Sequence, residues 1–260
     1  MISRKSRGPD SSGEPPGQEM RLNRYLALCG VASRRQAMEY VFAGRVSVEG
    51  EVEHDPGRKV RVGHERVEVD GERVLPPRKW VYFAFYKPPG VLVTAHDELG
   101  REGIQAFFRR VPQRVFPIGR LDRASEGLLL VTNHGELADA LLHPSGGIEK
   151  IYRVKVSPRP QPSQLARMQE GVPLGQGEHS APARVRVKRA GRAAALLTLT
   201  LTEGKKREVR RICKAVGLQV LKLKRVAFAG IQLGEAAPGT LRKLSRAEVD
   251  HLQRLTGVRL

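Results

Sequence analysis

The chain has 260 residues, enough for two domains with a sizeable core. Hydrophobic residues make up 40% of it, yet no apolar run approaches the ~20 residues that a membrane helix needs. Lys and Arg total 46 against 27 acids, a net charge of +19, which favours a polyanionic partner such as nucleic acid. An anionic membrane is the poorer match, because no basic amphipathic helix or lipidation motif accompanies the charge. Cys29 and Cys213 stand alone and the histidines are scattered, so neither a disulfide framework nor a metal site is expected, and a reducing cytoplasm fits.

Residues 1–19 are rich in Ser, Gly, Pro and charges of both signs, and are expected to form a disordered tail with no secretory core. Residues 20–75 make a first module. Arg21 to Leu28 predicts a helix with Leu22, Tyr25 and Leu26 on one face, stopped by Gly30. Ser33 and Gln36 form a capping box for a second helix, Arg34 to Phe42, with Ala37, Val41 and Phe42 expected inside. Short alternating runs around Val46, Val60 and Val67 follow, with Glu49-Gly50 and Asp70-Gly71 as turn signals. Arg21 and Arg24 share a helical face, and Arg34 and Arg35 sit in a first turn, where cations oppose the helix dipole. An approaching phosphate would offset that cost, so these four, with Arg45, are the module's candidate RNA contacts.

Residues 76–79 are a Pro-stiffened linker, and residues 80–260 form the second domain. It opens on a strand apolar on both faces, broken at Lys87-Pro88-Pro89-Gly90, then a polar loop from His96 to Glu102 and a short helix near Gly103 to Arg109. The organising stretch is Val115 to Leu137. Asp122, flanked by Arg120 and Arg123, lies in a loop between a short strand and the buried apolar run Gly127 to Thr132. Asn133 and Glu136 are expected to cap the next helix, with Leu137, Leu141 and Leu142 inward. In the strand from Lys150, alternation puts Tyr152, Val154 and Val156 on one face and Arg153 and Lys155 on the other. Ala193 to Thr202 alternates Leu and Thr as a half-exposed strand. The run from Lys205 to Gly217 predicts a helix with Val209, Ile212, Cys213 and Val216 inward and Arg210 off that face. Lys205, Lys206 and Arg207 open it as a basic cluster. Two strand-like runs and a helix capped by Ser245 and Glu248 complete the chain.

Two resemblances bear on these elements. RLNRYLALCGVASRRQAMEYVFAGRVSVEGEV resembles an S4 RNA-binding domain. GRLDRASEGLLLVTNHG, at residues 119–135, resembles the catalytic motif of the pseudouridine synthases, in the branch that carries an S4 domain and modifies ribosomal RNA, nearest its large-subunit type B members. Ser125 stands where that family usually has Thr, which keeps the hydroxyl, and Glu208 stands where members often have Gln.

The resemblance implies an α+β protein: a small S4 domain of two helices and short strands, then a catalytic domain on a mixed, mostly antiparallel sheet flanked by helices. It implies isomerisation of uridine to pseudouridine in ribosomal RNA, with no cofactor or metal and a monomeric enzyme. Asp122 becomes the catalytic aspartate, Tyr152 the ring that packs on the extruded base, and Arg210 the partner of Asp122; Lys87 either borders the site or flanks a turn. A flipped base needs an aromatic platform and a cationic surface for its backbone, which Arg120 and the Lys205–Arg207 cluster extend. The competing expectation is a non-catalytic S4-type RNA-binding assembly factor. A hydrolase or methyltransferase lacks a matching metal cluster or glycine-rich cofactor loop.

Overall fold

The computed structural model describes residues 17–94 and 103–260. Most of the expected tail and the His96 to Glu102 loop lie outside the described residues. The chain divides into two compact units, Met1–Val81 and Tyr82–Leu260.

In the first unit, helices α1 (Leu22–Leu28) and α2 (Arg34–Phe42) pack their Leu22, Tyr25, Leu26, Ala37 and Val41 side chains into one core. The Ser33–Gln36 capping box forms. Phe42 does not point inward: it is 60% exposed, because Val41, one turn on from Ala37, already holds the inward position. Strands β1 (Glu19–Arg21) and β4 (Lys59–Arg61) pair with each other. Strands β2 (Val46–Val48), β3 (Glu51–Val52), β5 (Val67–Val69) and β6 (Glu72–Arg73) form an antiparallel sheet in the order β3-β2-β5-β6. Glu49-Gly50 and Asp70-Gly71 make its turns with positive φ at both positions, the geometry that suits a two-residue hairpin.

The second unit is one nine-stranded sheet flanked by helices. Its strands in chain order begin with β7 (Tyr82–Lys87), β8 (Phe116–Pro117), β9 (Glu126–Thr132) and β10 (Lys150–Ser157). A separate hairpin, β11 (Pro173–Gly175) with β12 (Glu178–His179), precedes β13 (Arg184–Ala190) and β14 (Ala195–Leu201). β15 (Gln219–Phe228), β16 (Ile231–Gln232) and β17 (Leu241–Lys243) complete the set. The order is β13-β14-β10-β15-β9-β7-β17, with β16 on β15 and β8 on β9. Every pairing is antiparallel except β9 with β15.

Two cores flank that parallel junction. In one, helices α4 (Pro162–Glu170) and α5 (Glu208–Ala215) set Met168, Val209, Ile212 and Cys213 against Val154, Leu197 and Leu199. In the other, α3 (Gly135–Leu142) and α6 (Arg246–Thr256) set Leu137, Leu141 and Leu252 against Ala84, Leu128 and Leu130. The cap of α3 does not fall on Asn133. His134 takes the cap position of α3, held in a buried site where its Nδ1 lies 3.2 Å from the Tyr82 hydroxyl and its backbone N–H bonds Thr132 Oγ1. Burial lowers that imidazole to about 4, so it is neutral there. Leu142 also departs from expectation, standing 45% exposed at the end of α3.

Candidate active site

The loop that carries Asp122 is fixed at both ends. On its near side β8 pairs with β9, and the Ile118 N–H bonds Leu130 O at 2.8 Å. On its far side Ser125 N–H returns to Asp122 O at 3.0 Å, and Ser125 and Glu126 are already buried. The Lys87–Gly90 turn braces it from behind: Gly90 N–H bonds Arg123 O, and Arg123 Nε donates to Gly90 O. Lys87 is wholly buried, and its ammonium donates to Pro88 O at 2.9 Å, Ser125 O at 2.8 Å and Arg123 O at 3.3 Å. All three of its protons are thereby used on backbone carbonyls. Burial lowers Lys87 to about 8, against the opposing pull of Asp122 and Glu126. Lys87 therefore sits beneath the loop and outside the cleft, where it can position Asp122 but not touch a substrate.

Asp122 itself opens onto a cleft of about 610 Å³ lined by Tyr152, Lys150, Arg207, Glu208 and Arg225, among others. Among the described residues its charge partners are Arg207, 3.9 Å from Oδ2, and Arg210, whose Nε is 4.0 Å away. The adjacent Arg120 and Arg123 are not its partners. Arg210 is the more enclosed of the pair, 19% exposed against 54%, and its Nε has no hydrogen-bond partner within the protein. Both come from the start of α5, where Arg207 occupies the cap in the left-handed region at φ 54°. Tyr152 is half-buried on the core side of β10, between Leu199 and Arg225 on its neighbouring strands, with its ring bordering the same cleft.

Charged groups that sequence reasoning did not single out lie close by. Arg225 and Lys150 are almost fully buried and line the cleft. Arg225 Nε donates to Leu128 O at 2.7 Å, leaving Nη2 without a partner, and Lys150 Nζ reaches Thr202 O at 3.2 Å. Burial, then the Arg225 charge, lowers the Lys150 ammonium. The signal for both was present in the alternation, since each occupies an inward slot beside Tyr152 or Leu223.

Glu208 is 5% exposed and faces Glu203. Burial and that carboxylate push Glu208 up to about 8, while its Oε2 accepts the Lys205 N–H at 3.1 Å. Glu203 stays ionised, held down to about 2 against its burial by the hydrogen bond from Glu208, by Lys205 at 2.6 Å and by Ala181 N–H. A neutral Glu208 thus gives its proton to Glu203 while its other oxygen accepts the Lys205 N–H, the two bonds that an amide would also make.

Of the expected RNA contacts, Arg120, Lys206 and Arg207 are exposed around the cleft. Lys205 is not free: it binds Glu203 and His179 O. The helix begins at Glu208, one turn later than the basic run implied. In the first unit Arg21, Arg34 and Arg35 are exposed, with no acid in the first turn of α2, and Arg24 is half-buried. Arg45 is committed at home, forked onto Asp70 at 2.9 and 2.5 Å and stacked 4.0 Å from the Tyr40 ring centre, so it offers no free charge to RNA.

Residues 81–215 match the family model for RNA pseudouridylate synthase, and residues 20–65 match the S4 domain. Ribosomal large subunit pseudouridine synthase B of Bacillus subtilis (strain 168) is 40% identical over 237 residues, spanning 90% of this chain and 96% of its own. The Shigella flexneri protein of the same name is 36% identical over 250 residues, spanning 90% and 83%. A crystal structure of a pseudouridylate synthase shares the fold, with a TM-score of 0.64 at 24% identity over 90% of this chain and 99% of the other. The chain belongs to the RNA pseudouridine synthases, isomerases of RNA uridine, in the branch with an S4 domain at its N-terminal side.

Proposed function

We propose that the protein isomerises specific uridines in ribosomal RNA, that of the large subunit, acting as a cytoplasmic monomer without a cofactor. Asp122 attacks the ribose or takes its proton, Tyr152 packs on the extruded base, and Arg210, aided by Arg207, holds the carboxylate in place. The glycosidic N–C bond breaks, the uracil turns, and a C–C bond forms from C5, whose hydrogen leaves to solvent. What supports this reading above all is that Asp122, Tyr152 and Arg207 border one cleft and that Arg210 Nε stands 4.0 Å from Asp122. Opposite charges at that distance, partly shielded from water, keep the carboxylate oriented without a metal. Lys87 is a positioning residue in this scheme. Arg21, Arg24, Arg34 and Arg35 of the S4 module grip the RNA backbone.

Ribosomal RNA carrying tritium at uridine C5 tests the proposal through release of label to water. The protein should release it, and Asp122→Asn should release none while binding the same RNA with little change. Full activity in Asp122→Asn, or no release by the parent protein on large-subunit RNA, would refute it.

A further inference from the structure

Among the described residues, one face of the second unit's sheet is bare over β13, β14, β10 and the neighbouring part of β15, while α3 and α6 cover it over β7 and β9. Helices α4 and α5 cover the side of β10, β14 and β15 that carries Val154, Leu197 and Leu223. The alternate residues point the other way, and register lines them up across four strands. Arg186 on β13 lies opposite Thr198 on β14, which lies opposite Arg153 on β10, which lies opposite Lys224 on β15. A second row runs beside it, Arg189 opposite Leu196, then Lys155, then Lys222.

Within each row two cations meet directly: Arg153 faces Lys224, and Lys155 faces Lys222. Like charges set opposite one another on neighbouring strands are destabilising, so this arrangement works against the fold unless an anion answers it. Within the protein Lys224 is answered by the Tyr86 ring, 4.5 Å from its ammonium. Among the described residues the acids here are Glu126, which takes Lys222 at 3.0 Å, and Glu149, which takes Arg184. Arg153, Lys155, Arg186 and Arg189 are exposed, and Lys222 is 68% exposed. No outward residue in either row is aromatic, and the Tyr86 ring beside them is buried under Lys224, so no base could stack there.

We propose that this face is a second RNA-binding surface, one that holds the phosphate backbone of a duplex segment flanking the modified site. Its chemistry, two rows of cations with the Thr198 hydroxyl between them in one and Leu196 in the other, matches a backbone and carries no sequence reading. Strand spacing sets Arg153 roughly 5 Å from Lys224 and roughly 10 Å from Arg186, and strand rise sets the two rows roughly 7 Å apart, a spacing on the scale of successive phosphates. The surface extends the substrate beyond the target loop, and it rests on the RNA reading above.

Two substrates test it: a minimal stem-loop that fills only the cleft, and a long ribosomal RNA fragment. In the triple variant Arg153→Gln, Lys155→Gln, Arg186→Gln, affinity for the long RNA should fall about tenfold. Its log–log salt slope should flatten by roughly 2–3, since each lost duplex phosphate contact removes about 0.9. Turnover of the stem-loop should be unchanged. The charge-keeping variant Arg153→Lys, Arg186→Lys should behave as the parent. An unaltered slope, or an equal loss on both substrates, overturns the proposal. The unmodified protein gives an independent reading through lysine acylation. Long RNA should protect Lys155 and Lys222 while the stem-loop does not. Equal reactivity in both, or protection by phosphatidylserine vesicles and not by RNA, also overturns it. Failure of the parent to isomerise the stem-loop would instead indict the functional reading.

Discussion

Replacing Glu208 by Gln isolates what the buried carboxyl pair does to the protein. In the folded chain Glu208 holds its proton up to about 8, chiefly through burial, whereas an exposed Glu releases it near 4.5. Between those values the folded state carries a proton that the unfolded state has lost, so stability must fall as pH rises through that window. The contribution is complete below 4.5 and gone above about 8. Glu203 works in the opposite sense, but its window lies lower, between about 2 and 4.5, and does not overlap. Each pH unit is worth at most about 1.4 kcal/mol, so from pH 5 to pH 9 the site should lose on the order of 3 kcal/mol. The other charges near the pair are Lys205, whose ammonium binds Glu203 and whose backbone N–H binds Glu208, with Lys150 and Arg225 lining the same cleft. Gln fixes the neutral form, with its carbonyl for Lys205 N–H and its amide for Glu203. Calorimetry of the full chain should therefore show near-equal Tm for both proteins at pH 5. At pH 9 the variant's second unit should melt about 6–12 °C higher. The first unit's transition should coincide in both and serves as an internal control. Parallel decline of parent and variant across this range would refute the protonated pair.

Lys87→Met keeps the volume but strands three buried carbonyls, and should cost about 2–4 kcal/mol of unfolding free energy in urea melts. Tritium release should fall at least ~100-fold with RNA affinity little changed, because the loop that aims Asp122 loses its brace. Gly127 has φ +114°, and an added Cβ would lie 2.2 Å from Arg225 O, so Gly127→Ala should lose about 3 kcal/mol or fail to accumulate as folded protein by circular dichroism. Arg210→Gln should reduce kcat far more than Arg207→Gln, about tenfold or greater between them in single-turnover release, since the exposed Arg207 is the better screened.

Much of the fold was legible because local signals and burial agree. The Leu–Thr alternation of β14 became an unbroken buried–half-buried pattern, and the Ser33 and Ser245 capping boxes formed as read. Where the reading failed, a tertiary contact had outbid a local preference. Asn133 lost the cap of α3 because His134 is anchored to Tyr82 from another strand. Asp122 stood out through its motif, yet nothing local could assign Arg207 to it rather than Arg123, because that pairing depends on how α5 meets the loop. The Glu203–Glu208 pair was invisible for the same reason: each acid alone is an ordinary polar residue, and only the packing of α5 against the end of β14 makes one of them neutral.

The location of the cleft follows from a single topological fact. The sheet is antiparallel on either side of β9 and β15, and those two strands run parallel over only Lys224–Glu126 and Arg225–Gly127. So short a pairing leaves the two cores, each with its own helices, unmerged along that line. Asp122 comes from the loop entering β9 on one side, while Tyr152, Arg225 and the start of α5 come from the other. Gly127 lets the halves approach closely enough for Arg225 to reach Leu128 O, and that contact fixes the distance across which Asp122 meets its guanidinium partners. A substitution along this seam must therefore change stability and catalysis together, whereas one in either core at a distance from it should lower stability and leave kcat per folded molecule intact.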